Sequence, residues 1–282
     1  MNQTNKPGIL VVSFGTCHPE TRANTIDAIE ARIAKDYPQA YVYRAWTSSI
    51  IRKKLSQITG EKIPSIPEAM ETMRREGITD LLIQPTLVMN GIENDRMKEE
   101  ALKYRDHFCS VCFGNPLISS TDDMRQIVRT LGTAFRVTNN EALVLMGHGS
   151  EHPSNAVYAA LDYMFKEMGN SHIYVGTVEA YPSLPVILKQ LKGSGITHIH
   201  LAPFMTVAGD HAANDMAGNR ENSWANICKE AGYKVTCHLK GLGEYPQIQE
   251  LFSQHIKQRI TDAGGNIASA FSALGYDVGS IL

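Results

Sequence analysis

The sequence predicts an α/β protein of two similar doubly wound domains, each with a parallel four-stranded sheet, the two related by internal duplication. Three observations predict it. Segments recur in the same order: GITDLLIQPTLVM at 77–89 returns as GITHIHLAPFMTV at 195–207, ILVVSFGT at 9–16 as LVLMGHGS at 143–150, and YRAWTSSI from Tyr43 as VEAYPSLP from Val178. Short runs rich in Val, Ile and Leu are apolar at nearly every position, the habit of strands buried on both faces of a parallel sheet. These runs alternate with longer amphipathic stretches, and strand–helix alternation is the mark of the doubly wound class.

Taken in order, the first half opens with the apolar run 9–14, followed by a helical pattern over 20–36 and a second run at 40–45. A helical pattern at 66–76 leads into the run 80–88, another at 93–106 into the run 108–113, and a helix over 121–135 follows. The second half repeats the scheme with runs at 142–147, 173–178, 197–204 and 233–237 and helical patterns at 154–168, 184–192, 220–231 and 246–262. The repeat places the boundary near Thr138–Glu141, which gives an N-terminal domain at 1–138 and a C-terminal domain at 139–282. The stretch from Gly264 to Leu282 is rich in Gly, Ala and Ser, and reads either as a loosely packed tail or as a docking segment.

Composition narrows the function classes. The chain has 282 residues, 43% apolar and 20% charged, ordinary values for a globular protein with enough chain for a large core or two domains. Net charge is −2 and no basic stripe appears, which argues against a nucleic-acid partner. No apolar stretch approaches the length of a membrane span, and no membrane partner is expected. The opening MNQTNKPGILVV lacks the apolar segment and cleavage site of a secretory signal, so the expected location is the cytoplasm. Five scattered cysteines do not form a disulfide framework. The oligomeric state is left open, a homo-oligomer included.

The duplicated copies differ where chemistry would sit. Aligned by the repeats, Phe14 faces His148, Arg44 faces Glu179 and Glu93 faces His211, so the second half alone carries His, Glu and His. His148 lies in Met146-Gly-His-Gly-Ser150, directly after an apolar run, and in open α/β sheets the ligand crevice lies beyond the carboxyl ends of the strands. A loop histidine that hydrogen-bonds locally is the competing reading. Glu179 closes the strand YVGTV, where a carboxylate must be exposed, paired or bound to a cation; a helix-start acid is the alternative. His211 follows the strand HIHLAPFMTV and a Gly-Asp turn, and could equally be a solvated residue at a helix start. All three fall at the carboxyl ends of successive strands of one half. Two imidazoles and one carboxylate make an open site for a borderline divalent ion such as cobalt, nickel, iron or zinc. Glu93, the first-half counterpart of His211, would line the same cleft from the opposite wall if the halves face each other, or else it is a helix N-terminal acid.

Other features have plainer readings. Cys109 and Cys112 have metal-like spacing but lie in a strand, where residues three apart point to opposite faces. His198 and His200 share one strand face and could bind a metal, against a satisfied pair near a strand start. His152 could shape the rim of the cleft or lie on the surface, and Gly241-Leu-Gly-Glu244 is a Gly-rich turn without a nucleotide fingerprint.

The motifs LVVSFGT, RAWTSSIIRKKL, MGHG, VEAYP and VAGDHAANDMAG, with SW shortly after, resemble those of the anaerobic sirohydrochlorin cobaltochelatases of the CbiK type, from about residue 8 to residue 260. These are class II, ATP-independent chelatases, related in fold to protoporphyrin ferrochelatase. The resemblance implies two α/β domains around a tetrapyrrole cleft and maps the metal-binding His, Glu and His to His148, Glu179 and His211. The acid of the family's NGDE motif falls at Glu93 in Asn90-Gly-Ile-Glu93, where Ile92 replaces the usual Asp.

The expected activity is therefore insertion of Co(II), the substrate metal, into sirohydrochlorin on the anaerobic route to cobalamin, with no nucleotide cofactor; no GxxxxGK[ST] motif is present. His148 and His211 would hold the ion and take protons, Glu179 would act as ligand or as partner to a ligand, and Glu93 would accept or relay a pyrrole proton. Leu87, Met89 and Phe204 could grip the macrocycle, and Arg52, Lys53 and Arg96 are candidates to meet its carboxylates. Iron or nickel insertion into a related tetrapyrrole, or a carrier of tetrapyrrole, haem or metal without turnover, are the alternatives.

Overall fold

A computed structural model of the chain describes residues 5–264 and Ser269. Apart from Gly264 and Ser269, the tail whose packing the sequence leaves open falls outside the described residues. The chain packs into two units, one running to Ser119 and resuming at Gln249, the other Ser120–Ile248.

In the first unit β1 (Pro7–Ser13), β2 (Tyr41–Trp46), β3 (Asp80–Pro85) and β4 (Ser110–Phe113) form a parallel sheet in the order β2-β1-β3-β4. The central strands β1 and β3 are buried at every position, whereas the edges β2 and β4 are partly exposed. This is why the central runs read as unbroken apolar stretches. Between the strands lie α1 (Pro19–Asn24), α2 (Ile26–Asp36), α3 (Ser49–Thr59), α4 (Ile66–Arg75) and α5 (Ile92–Leu102). Met70 and Met73 of α4 and Met97 of α5 pack with Leu10, Val12, Leu81 and Ile83 of the sheet. Burying a side chain of this size removes about 1.5–3 kcal/mol of apolar surface free energy from water.

The second unit repeats the plan. Its strands β5 (Glu141–Gly147), β6 (Ile173–Thr177), β7 (His198–Pro203) and β8 (Lys234–Cys237) are parallel in the order β6-β5-β7-β8. Its helices are α6 (Thr121–Ala134), α7 (Ala156–Glu167), α8 (Leu184–Leu191), a π-helical turn over His211–Met216, and α9 (Trp224–Glu230). Ile187 and Leu191 of α8, Met216 of the π turn and Trp224 of α9 pack with Val144, Met146, Ile199 and Leu201. The two sheets thus share one strand order, the architecture that the repeats predict.

Three details differ from the expectation. The helix α3 lies outside the predicted helical patterns, and its burial explains why: of its apolar residues only Leu55 is buried, while Ile50 and Ile58 are largely exposed, so no clean helical stripe is written into the sequence. The packing division also departs from the expected 1–138 and 139–282. Helix α6, counted with the first half, packs with α7 of the second unit, and α10 (Pro246–Ala263), counted with the second half, belongs from Gln249 onward to the first unit. There Ser253 ties it down: its carbonyl accepts from the Tyr37 hydroxyl at 3.0 Å and its own hydroxyl donates to Asp36 at 2.6 Å.

The third difference concerns the repeat. In the sheets Ser13 pairs with Trp46 and Gly147 with Thr177, and just beyond them Ser48 N donates to Phe14 O as Glu179 N donates to His148 O. The structural counterpart of Glu179 is therefore Ser48, and Arg44, in mid-strand, corresponds to Val175. The likeness of YRAW to VEAY lies four residues out of this register, and the two connections preceding these strands differ in length by three residues. Arg44 instead serves its own unit, its guanidinium held by Glu30 and Asp27 of α2. The other two pairings hold in the register: Thr86 N donates to Val12 O as Phe204 N does to Met146 O, and Gly91 N to Met89 O as Gly209 N does to Val207 O.

Helix α6 begins with a reciprocal capping box in which Asp123 N donates to the Ser120 hydroxyl at 3.1 Å and Ser120 N donates to the Asp123 carboxylate at 2.8 Å. Ser120→Ala is expected to destabilise the protein by about 1 kcal/mol, read from a lowered denaturation midpoint at unchanged slope.

Candidate metal centre

The site of the second unit is assembled where three parallel strands end. His148 follows β5 directly, Glu179 lies two residues beyond β6, and His211 opens the π turn that follows β7. Backbone bonds continue past the strand ends: Val178 N donates to Gly147 O and Glu179 N to His148 O, both at 3.0 Å. This holds the first two side chains in step.

The glycines on either side of His148 are required by space. A Cβ on Gly147 would stand 2.3 Å from Cε1 of the buried Tyr158, and Gly149 adopts φ +89° with Ala180 N 2.8 Å from where a Cβ would be. The Tyr158 hydroxyl in turn meets the backbone N–H groups of His148 and Gly149, while burial raises its phenol to about 12, so it remains a neutral strut under the loop.

One nitrogen, carboxylate oxygen or second nitrogen from each of His148, Glu179 and His211 lies within 4.8 Å of the others. The imidazole rings stand perpendicular, with centroids 4.7 Å apart, and His148 Nδ1 is 3.7 Å from a Glu179 oxygen. Each ring is oriented through Nδ1: that of His148 meets Gly149 O at 2.9 Å, and that of His211 meets Asp215 at 2.6 Å. An Nδ1–H that donates to a carbonyl or a carboxylate leaves Nε2 with its lone pair, the tautomer a metal needs. The side chains of His148, Glu179 and His211 are 47%, 56% and 39% exposed, so the donors are open to an incoming ion.

Asp215 is a residue that sequence reasoning missed. Its signal was the spacing of four in HAAND, which places it beside His211 on one helical turn.

Glu93 belongs to the first unit, in the first turn of α5, with its carboxylate 3.4 Å from the exposed Arg96. Phe14, the counterpart of His148, is 47% exposed, and Ser48, the counterpart of Glu179, caps α3 by accepting from Ile51 N. The first unit thus presents a phenyl ring, a hydroxyl committed to a cap and one carboxylate at the corresponding positions. Phe204 is fully buried edge-on to Tyr158, which corrects the expectation that it grips a ligand; Leu87 and Met89 are half-buried. Arg52 reaches Glu68 at 3.4 Å and Lys53 is exposed.

Three of the remaining motifs take the plainer readings. His152 caps the short 3-10 turn at Pro153–Asn155 by accepting from Ser154 N. Cys109 is exposed and Cys112 buried, with its thiol pushed up to about 12 by burial, so the pair does not share a site. Gly241 N donates to Glu244 across a single turn. His198 and His200 sit beside Glu141 at the opposite end of the sheet, where the N–H and hydroxyl of Thr138 hold the Glu141 carboxyl down at about 2.

A family model described as cobalt chelatase (CbiK) matches residues 7–261. A sirohydrochlorin cobaltochelatase of Salmonella typhimurium is 37% identical over 259 residues, covering 92% of this chain and 98% of that protein. The sirohydrochlorin cobaltochelatase CbiKC of Nitratidesulfovibrio vulgaris is 28% identical over 260 residues, covering 91% of each. Among solved structures, SirB from Bacillus subtilis with Fe3+ superposes with a TM-score of 0.64 at 14% identity, covering 92% of this chain and 98% of that one. CbiX, described as the terminal enzyme for biosynthesis of siroheme in denitrifying bacteria, superposes with a TM-score of 0.54 at 16% identity, covering 89% and 98%. These two likenesses carry the fold.

Because Asp215 fixes the His211 ring from behind, Asp215→Asn is expected to weaken Co(II) binding about 10–100-fold while circular dichroism and thermal midpoint stay near wild type. A calorimetric titration with unchanged affinity would remove Asp215 from the site.

Proposed function

This chain belongs to the cobalt chelatase (CbiK) family, and from that premise we propose that it inserts Co(II) into sirohydrochlorin without spending a nucleotide, on the way to cobalamin. The observation that carries the reading is the convergence of two imidazoles and a carboxylate at the exposed carboxyl edge of the second sheet. A chelatase must hold its ion firmly enough to load it and loosely enough to pass it on. Three donors on an open surface leave coordination positions free for pyrrole nitrogens.

In the proposed mechanism His148 and His211 bind Co(II) through Nε2, and Glu179 supplies an oxygen to the ion or to its bound water. Charge favours this set, because the carboxylate offsets part of the ion's charge while the imidazoles remain neutral. Insertion replaces two pyrrole N–H protons by one divalent ion, so two protons must leave. As the macrocycle takes the ion over, each imidazole regains its lone pair and can accept one of them. Glu93 is proposed as a further proton acceptor or relay, its role resting on the family's acid motif and on its position as the counterpart of His211. Arg52, Lys53 and Arg96 are proposed to supply positive charge for substrate carboxylates. No helix among the described residues is long and apolar enough to cross a membrane, and the reaction is proposed to run in the cytoplasm.

The decisive experiment is multiple turnover with sirohydrochlorin and Co(II), Fe(II), Ni(II) or Zn(II), without nucleotide, followed by absorbance. Catalysed cobalt insertion is expected; stoichiometric binding of the tetrapyrrole with no catalysed spectral change would make the protein a carrier. His211→Ala is expected to abolish insertion while leaving the fold intact, since an exposed side chain contributes little to the core. Glu93→Gln is expected to slow turnover more than it weakens Co(II) binding, because its task is the proton and not the ion. Normal turnover at saturating metal combined with lost affinity would assign Glu93 to the ion instead.

A further inference from the structure

The far end of the same sheet holds a second cluster that the proposed reaction does not use. Glu141 opens β5 and pairs in register with His198, which opens β7; His200 follows two residues later, opposite Thr236 of β8. These residues therefore share one face at the amino-terminal edge, with His238 just beyond β8 on the same alternation. Glu141 Oε1 lies 3.3 Å from His198 Nδ1 and 3.6 Å from His200 Nε2.

We propose that Glu141, His198 and His200 form a second, resident binding site for a first-row divalent transition metal, separate from the ion that is inserted.

Three observations carry it. The first is spacing. In a tetrahedral site with bonds of about 2.0–2.1 Å, neighbouring donor atoms stand about 3.3 Å apart. The two separations to Glu141 match that edge closely, and all three donors lie within 4.8 Å of one another. The second is orientation. The remote nitrogen of each ring is already engaged, His198 Nε2 with the Thr236 hydroxyl at 2.9 Å and His200 Nδ1 with His238 Nε2 at 3.0 Å. Protons on those remote nitrogens leave the lone pairs of His198 Nδ1 and His200 Nε2 aimed at Glu141, the outer arrangement by which proteins fix metal-ligating histidines. Glu141 is braced in the same way, its other oxygen accepting from Thr138 N at 2.9 Å. The third is electrostatic. Three acceptors that face one another repel unless a proton or a cation stands among them, and two imidazoles with one carboxylate select zinc, cobalt or nickel over magnesium or calcium.

The site is not an extension of the first. Glu141 and His148 bracket the length of β5, and at about 3.3 Å per residue the two clusters are about 20 Å apart. The ion would tie β5 to β7 directly, and to β8 through Thr236 and His238. Its task is to hold the amino-terminal edge of the sheet whose carboxyl edge carries the exposed donors.

The test is a titration of chelator-stripped protein with Co(II) alone, read by calorimetry and by the visible spectrum of the ion. Wild type is expected to bind two ions per chain, one at each three-residue cluster. His148→Ala/His211→Ala should retain one ion, and His198→Gln/His200→Gln should also retain one, with tetrapyrrole turnover within about twofold of wild type. Zn(II) should raise the melting temperature of wild type by more than that of either double variant, because each variant keeps only one of the two sites. If the histidine pair fails to fold, Glu141→Gln keeps an oxygen for Thr138 N and should lower the affinity of this site at least tenfold. A single ion in wild type that is lost in His148→Ala/His211→Ala, or two ions retained in His198→Gln/His200→Gln, would overturn the proposal. In either case the turnover of wild type stands as a separate readout of the chelatase reading.

Discussion

Everything at the exposed metal centre depends on parallel strands ending in register. Parallel pairing sends every strand of a sheet the same way, so side chains far apart in sequence leave the sheet at one edge. Here the backbone ladder does not stop with the strands. Glu179 N reaches His148 O, and Phe204 N reaches Met146 O, so each of the three chain segments leaves the sheet locked to its neighbour. The donors need no packing of their own to meet, and they can stay exposed while the buried strands beneath them carry the stability.

Duplication explains why only one edge is armed. The same hydrogen bonds recur in the first unit, where they bring Phe14, Ser48 and Glu93 to equivalent places. A phenyl ring cannot ligate a cation, and the Ser48 hydroxyl is engaged in capping α3. The fold therefore offers two geometrically similar edges, and a few side chains decide which one gathers metal-ligating groups. Function lies in the residues placed on the scaffold and not in the scaffold itself.

The same reasoning shows what was legible in the sequence. The parallel sheets and the duplicated plan were readable because central parallel strands are buried on both faces and leave unbroken apolar runs. That His148, Glu179 and His211 lie together was readable because each follows such a run. The pairing of Arg44 with Glu179 misled because a three-residue difference in the length of the connection is invisible to matched letters but plain in the β1–β2 and β5–β6 registers. Helix α3 hid because its apolar residues do not form a buried stripe, and Asp215 hid because its importance comes from a contact across one turn and not from a motif. The exchange of α6 and α10 between the packing units leaves no local mark at all, since it is decided by distant partners such as Asp36 and Tyr37.

The two clusters on the second sheet present the same donor types in opposite surroundings, and the contrast follows from where each sits. His148, Glu179 and His211 stand on loops beyond the strand ends, about half exposed, and only one of their rings is backed by a carboxylate. His198, His200 and Glu141 stand on the strands themselves, with side chains 13%, 19% and 23% exposed, and every one is braced by a second group. A donor set that is exposed and lightly braced can adjust as its ion changes partners, which insertion into a macrocycle demands. One that is half-buried and fully braced resists such movement and suits an ion that stays. In the proposed pair of sites, residence time would be set by burial and outer hydrogen bonds, with the ligand types held constant, and one sheet supplies both environments because its two edges differ in kind: one ends in loops, the other begins in ladder-bound strand.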